Sequence, residues 1–198
     1  MMTQTHLLVA CAAFSKPDNP ARNTAAILGS LIPDFALYAL FAWHRALGDS
    51  PDYIFRELYW SDSWQRLLAP GNSFIVYGAL LLPAVALTNL PGWSAKVRNL
   101  VMVFSLAALL HVATDFPLHV EDAYAHFWPI TDWKFVSPVS YWDHRYHGDI
   151  FQWLETALAL VCIYFLFTRF QAVWVRILLV LALATYIIVP LMWALSLA

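Results

Sequence analysis

Apolar runs of membrane length alternate along this chain with short basic connections and two long polar ones. Four stretches, Thr24–Trp43, Ser73–Leu90, Asn99 to about Pro117 and Ile150–Thr168, are long enough to cross a hydrocarbon core as helices, and a fifth, Ala172–Leu197, closes the chain. The earlier run Thr5–Phe14 is too short to span alone and reads as a partial helix packed against its neighbour. The pattern predicts an all-α integral membrane protein: one domain over residues 1–198, a bundle of five transmembrane helices plus a short N-terminal partial helix. No internal repeat or shift of composition divides it.

Composition agrees, with 61% of the 198 residues hydrophobic and 12% charged, far from the balance of a soluble domain. The net charge is −2 and the basic residues are scattered, which excludes a nucleic-acid-binding surface. The N-terminus lacks the charged start and small-residue cleavage site of a signal peptide, so no cleavage is expected. Cys11 and Cys162 lie far apart in apolar runs and read as small buried hydrophobes. Lys16 and Arg22, Lys96 and Arg98, and Arg169 and Arg176 all flank connections on one side of the bundle, which the positive-inside rule makes cytoplasmic. A multi-pass protein of the cytoplasmic (inner) membrane is expected, with Arg45–Asn72, Leu118–Asp149 and both termini outside. In the first outer segment Tyr53, Tyr59, Trp60 and Trp64 interleave with Arg and Asp, which predicts an amphipathic helix lying in the interface.

Against this background the stretch His111-Val-Ala-Thr-Asp115-Phe-Pro-Leu-His119 stands out. Residues four apart share one face of a helix, so His111 and Asp115 project together, and His119 joins them if the helix continues past Pro117. Ionisable groups inside a span are costly and by default mark function. Counted inward from the basic edge at 1.5 Å per residue, His6 lies at about 15 Å, Asp34 at about 17 Å, His111 at about 18 Å, Glu155 at about 20 Å and Asp115 at about 24 Å. Groups of metal-ligand type from separate elements therefore share one layer, which argues for a polar cavity toward the outer leaflet.

Mixed imidazole and carboxylate donors suit a divalent metal, zinc first, with manganese or iron as alternatives. The expected ligands are His6, Asp34, His111, Asp115 and His119, with Glu155 or Asp115 as the base that deprotonates a metal-activated water. The outer loop 118–149 is rich in His, Trp and Pro, and its His126, Asp143, His144 and His147 are further candidates for a metal shell or a headgroup contact. The plainer reading of that loop is a solvated connection anchored at the headgroups by Trp128, Trp133, Tyr141 and Trp142.

Three pieces, Thr5-His6-Leu7-Leu8, Gly29-Ser30-Leu31-Ile32-Pro33-Asp34 and His111-x3-Asp115, resemble the bacterial membrane-bound metal-dependent hydrolases. They cover the first two helices and the third span. Where that family carries a His-Arg-…-Thr-His-Ser segment, this chain reads His44-Arg45-Ala-Leu-Gly-Asp-Ser, so the resemblance is to a divergent member in which outer-loop histidines substitute. The shorter run from His111-x3-Asp115 to Pro117-Leu118-His119 is similar to the His-x3-Asp…Pro-Leu-His motif of zinc-dependent phospholipases C, where the last spacing is longer. These resemblances imply metal-dependent hydrolysis. Location in the outer leaflet adds the bilayer as partner and a lipid-borne ester or phosphoester as substrate. The alternative is a non-enzymatic membrane protein, either a proton or ion conductor using the polar layer as a relay, or a haem or quinone carrier.

Overall fold

Serine or asparagine side chains cap the starts of α-helices at Pro20, Pro51, Asp62, Phe74 and Ala95, whereas the helices starting at Thr3 and Gly148 have no side-chain cap. The computed structural model describes residues 1–87 and 94–196, with side chains of the last helix through residue 188. The first helix, α1, covers Thr3–Phe14. Pro20 occupies the first turn of α2, Pro20–Ala46, and the Asn19 side chain accepts the Arg22 N–H at 3.0 Å. A short α3, Pro51–Tyr53, runs into a π-helical turn, Ile54–Leu58, and α4 follows at Asp62–Leu68. Ser73 caps α5, Phe74–Ala86, and Ser94 caps α6, Ala95–Asp115. After a long loop come α7, Gly148–Arg169, and α8, Val173–Ser196. The described residues contain no strand.

The pair α2 and α6 forms the most extensive helix contact, with α5 on the far side of α6, α1 packed against α2, α6 and α7, and α8 against α7. Gly29 sets how closely the central pair approaches: a Cβ there would lie 2.3 Å from the Phe104 carbonyl oxygen of α6. Ala107, fully buried, keeps the facing side of α6 equally small, its Cβ 3.0 Å from where a Gly29 Cβ would lie. Pro33 brings no N–H to α2, and its own carbonyl accepts from Asn72 Nδ2 at 3.5 Å, so the turn before α5 seats on the helix at that point.

Among the described residues three helices, α2, α6 and α7, are long and apolar enough to cross a membrane, where the hydropathy pattern predicts five spans. The expected span Ser73–Leu90 is interrupted because Leu87 leaves helical geometry at φ −101°, ψ 66°, which ends α5 after 13 residues, about 20 Å of rise. Residues 88–90 of that span lie outside the described residues. The last expected span, Ala172–Leu197, coincides with α8, Val173–Ser196, whose described side chains end at residue 188, so the rest of that expectation lies outside the described residues. Phe35 and Trp43 on α2, and Tyr164 and Phe165 on α7, point outward and are more than half exposed, as lipid-facing residues are.

The segment expected as one interfacial amphipathic helix is instead broken by the π-helical turn and by a new cap at Ser61, which accepts the Trp64 N–H. Its apolar residues divide. Ile54, Tyr59, Trp64 and Leu68 are buried with Tyr124 against Leu37, Leu40 and Phe41 of α2, whereas Tyr53, Phe55 and Trp60 remain exposed. Leu68 has no exposed surface, so Leu68→Ala should lower stability by about 2–5 kcal/mol through the cavity it leaves. Thermal unfolding in detergent, followed by tryptophan fluorescence, measures that loss.

The loop after α6 folds back over the helix ends. Phe116 stacks on Phe135 at 4.8 Å, Phe74 packs against Phe116, His126 and Phe127, and the Phe74 N–H donates to the His126 carbonyl at 2.9 Å. Residues Leu118, Val120, Ala123, Tyr124 and His126 are buried by this arrangement. The loop thus forms a fixed cover over the end of α6.

Candidate metal centre

Asp115, the last residue of α6, is the hub. Its Oδ1 lies 3.0 Å from His6 Nε2, and its Oδ2 lies 3.3 Å from His111 Nε2 and 3.5 Å from His119 Nε2. Asp34 Oδ1 of α2 stands 3.6 Å from His111 Nε2. The His6 and His111 rings stack with centroids 3.5 Å apart and planes inclined by 10°. Ligand atoms of His6, His111 and Asp115 all fall within 4.8 Å of one another. Each of the three imidazoles is at most 4% exposed. The Met1 nitrogen also touches Asp115 Oδ1.

The second nitrogen of each ring shows how these side chains are held. His111 Nδ1 donates to the Ser30 carbonyl at 2.7 Å, a contact made possible by the close approach at the adjoining Gly29. His119 Nδ1 pairs with Asp122 Oδ2 at 2.9 Å, and Trp142 Nε1 donates to the same oxygen at 3.1 Å. His6 Nδ1 lies 3.2 Å from Thr114 Oγ1, whose own proton is directed to the Leu110 and His111 carbonyls at 2.9 Å. The threonine can therefore only accept, which places the proton of His6 on Nδ1. Meanwhile Nε2 of His6, His111 and His119 are all buried without a hydrogen-bond partner. The unpartnered Nε2 atoms of His6 and His111 meeting the Asp115 carboxylate, each ring fixed from behind by a hydroxyl or a carbonyl, form an arrangement that fits a divalent metal, and His119 Nε2 adjoins it at Asp115 Oδ2.

Electrostatics outside the helices follows from the same contacts. Burial disfavours a charged His119, but the carboxylates of Asp115 and Asp122 outweigh it and raise its pKa to about 8. At neutral pH that ring therefore holds a second proton, which a cation bound there would have to displace. Burial would raise the Asp122 carboxyl, yet its hydrogen bond to His119 holds it below the usual range. Burial pushes the Tyr124 and Tyr141 hydroxyls well up, so both remain protonated at neutral pH.

Sequence-derived candidates thus separate into two groups. His6, Asp34, His111, Asp115 and His119 come together, with His119 reaching back from the loop just after α6. Glu155 does not join them: it is buried on α7, where Oε1 accepts the Met2 N–H at 2.7 Å. His126 is held by the Asn72 carbonyl at 2.8 Å and by aromatic rings, Asp143 pairs with Arg145 at 2.6 Å, His144 pairs with Asp149 in an exposed position, and His147 is exposed at the start of α7. His44 at the end of α2 pairs with Asp49 at 2.7 Å. Sequence reasoning missed Asp122, Thr114 and the Ser30 carbonyl as supports. Only the i, i+3 spacing of His119 and Asp122 carries a signal for any of them.

A cavity of about 200 Å³ opens onto this group, bounded by Thr3, Asp34, Tyr38, Asp115, His119 and Tyr124. No family model, curated protein or solved structure matches the chain.

The support given to His119 has a measurable consequence. Asp122→Asn keeps the side-chain shape but removes its charge, and metal affinity should fall roughly 10–100-fold, as for other partners behind a ligating imidazole. Competition against a chromophoric chelator reads that change, and unaltered affinity would show that Asp122 does not support a ligand.

Proposed function

We propose that this protein is a membrane-embedded metal-dependent hydrolase acting on a lipid-borne ester or phosphoester, a multi-pass protein of the cytoplasmic membrane with its long connections and termini outside. The observation that carries the reading is the convergence of three unpartnered Nε2 atoms on Asp115. His6, His111, His119 and Asp115 would hold the cation, with zinc favoured by three imidazoles and manganese or iron as alternatives. The resemblance to bacterial membrane-bound metal-dependent hydrolases points the same way. When bound, such an ion supplies a water acidic enough to ionise near neutral pH and a Lewis acid for the scissile oxygen.

The chain's own residues supply the rest. Asp34 borders the cavity, its side chain is 14% exposed, and it makes fewer contacts with the imidazoles than Asp115 does. It is better placed than Glu155 to take the proton of the attacking water. Thr3 Oγ1 donates to Asp34 Oδ2 at 2.5 Å and lies 2.7 Å from the hydroxyl of Tyr38, which is more than half exposed. This file of oxygens gives the proton a way out to the surface. Tyr124 and Tyr141 line the same cavity as uncharged hydroxyls, able to donate to a substrate oxygen without adding negative charge.

The test is elemental analysis of detergent-purified protein, followed by hydrolysis of phospholipids, p-nitrophenyl esters and phosphoesters with and without chelator. Stoichiometric metal and chelator-sensitive turnover are expected. Negligible metal, or ion flux in liposomes that survives chelation without any hydrolysis, would overturn the reading.

A further inference from the structure

A second and larger cleft, of about 490 Å³, lies beside the cavity at Asp115. Its volume falls within the range of roughly 300–1,000 Å³ typical of small-molecule sites. The two spaces share Leu37, His119, Tyr124 and Tyr141, so the buried His119 imidazole, whose Nε2 has no hydrogen-bond partner, stands at their junction. Away from that junction most of the wall is aromatic, with Asp122, Asp143 and His144 confined to the side that carries Trp142. Phe55 and Trp60 form one rim and Trp142 another, each between 41% and 47% exposed. Hydroxyls on the cleft wall are turned on each other, Tyr59 donating to Tyr124 at 3.2 Å, and the Trp60 indole N–H is directed back to the Phe55 carbonyl at 2.9 Å. The geometry leaves three large rings facing open space next to a polar centre.

From this we infer that the cleft receives the single hydrocarbon chain of the substrate, while its ester or phosphoester lies in the adjoining cavity against Asp115 and His119. The inference rests on the metal-hydrolase reading and adds to it the substrate class: an amphiphile recognised through one chain. Size supports one chain. Taking about 30 Å³ for a group of methylene bulk, a figure borrowed from liquid water, the cleft has room for roughly sixteen such groups. Among the described residues an apolar competitor is the groove between α1, α7 and α8, near Leu7, Trp174 and Leu178, which shares only Gln4 with the cavity at Asp115, whereas the cleft shares four residues with it, His119 among them.

The test uses full-length, zinc-loaded protein in nanodiscs, titrated with ethyl-, octyl- and tetradecylphosphonate as non-hydrolysable probes. Affinity should rise at least about tenfold from the shortest to the longest probe, since each buried methylene adds to binding. Phe55→Ala combined with Trp60→Ala, neither of which touches the metal centre, should remove most of that gain while zinc content and ethylphosphonate affinity stay unchanged. If the double variant keeps the whole gain, the chain is merely partitioning into lipid and the proposal fails. A tetradecylphosphonate with a terminal diazirine gives an independent readout. Labelling of residues 51–60 supports the cleft, and labelling confined to the peptide with Trp174 and Leu178 overturns it. Zinc measured in the same samples separates the two claims. Absent zinc with label in the cleft ends the metal assignment alone, whereas bound zinc with label elsewhere ends the cleft alone.

Discussion

His111→Ala protein is expected to purify with no more than background zinc, and its affinity should fall by more than about 100-fold, beyond the effect of losing a partner behind a ligand. Two contributions lead to this. One Nε2 donor disappears, and with it the bond from Nδ1 to Ser30 that ties α6 to α2 at the level of the site. The imidazole also stands between two carboxylates, 3.6 Å from Asp34 and 3.3 Å from Asp115. Its removal leaves Asp34 and Asp115 without the ring that stands between them, and opens a cavity in a buried layer. Alanine therefore threatens folding as well as binding. Asp115→Asn keeps shape and removes only charge, so it is the companion variant. It should lose metal while retaining helical content and a cooperative thermal transition. A folded Asp115→Asn protein with full metal content would show that the cluster is not a metal centre.

The second large effect involves no ligand at all. Gly29→Ala should destabilise the protein by about 1–3 kcal/mol, because the new methyl carbon would sit 2.3 Å from the Phe104 carbonyl oxygen, a backbone atom that cannot rotate away. The helices must part, and the Ser30 carbonyl moves off His111 Nδ1 as they do. Weakened zinc binding should accompany the loss of stability. Gly78, inside α5, is the control: a Cβ there meets nothing within 4 Å, so Gly78→Ala should be neutral or slightly stabilising. Denaturation midpoints for the two variants, with zinc content, test the contrast. Equal stability of both would remove the argument that close backbone contact positions His111.

Much of the site could be read from the chain because helical rise converts residue number into depth. His111 and Asp115 are one turn apart on α6, and counting inward placed His6 and Asp34 beside them. Depth fixes a layer and leaves the direction around the bundle open. Glu155 is buried at the expected level, but α7 directs it to the Met2 N–H. Loop residues have no rise to count. Nothing in the spacing of 118–149 distinguishes Asp122, which holds a ligand ring, from His144, which pairs with Asp149 in an exposed position. The expected span Ser73–Leu90 failed for another reason: hydropathy measures the length of an apolar run and is blind to a backbone that leaves helical geometry, as it does at Leu87. Interfacial aromatics between Tyr53 and Trp64 misled in the same way, because composition alone does not say that Tyr59 and Trp64 turn inward onto α2.

Tyr38 stands at the edge of the cavity on a face of α2 that also presents Phe35 to the outside. The cover above is pinned by stacked aromatic rings. A lipid-borne substrate of the kind proposed would therefore arrive sideways past Tyr38, already dissolved in the membrane. Its encounter would be two-dimensional, with a rate set by the mole fraction of substrate among its neighbouring lipids, so inert lipid added at constant bulk concentration would act as a diluent.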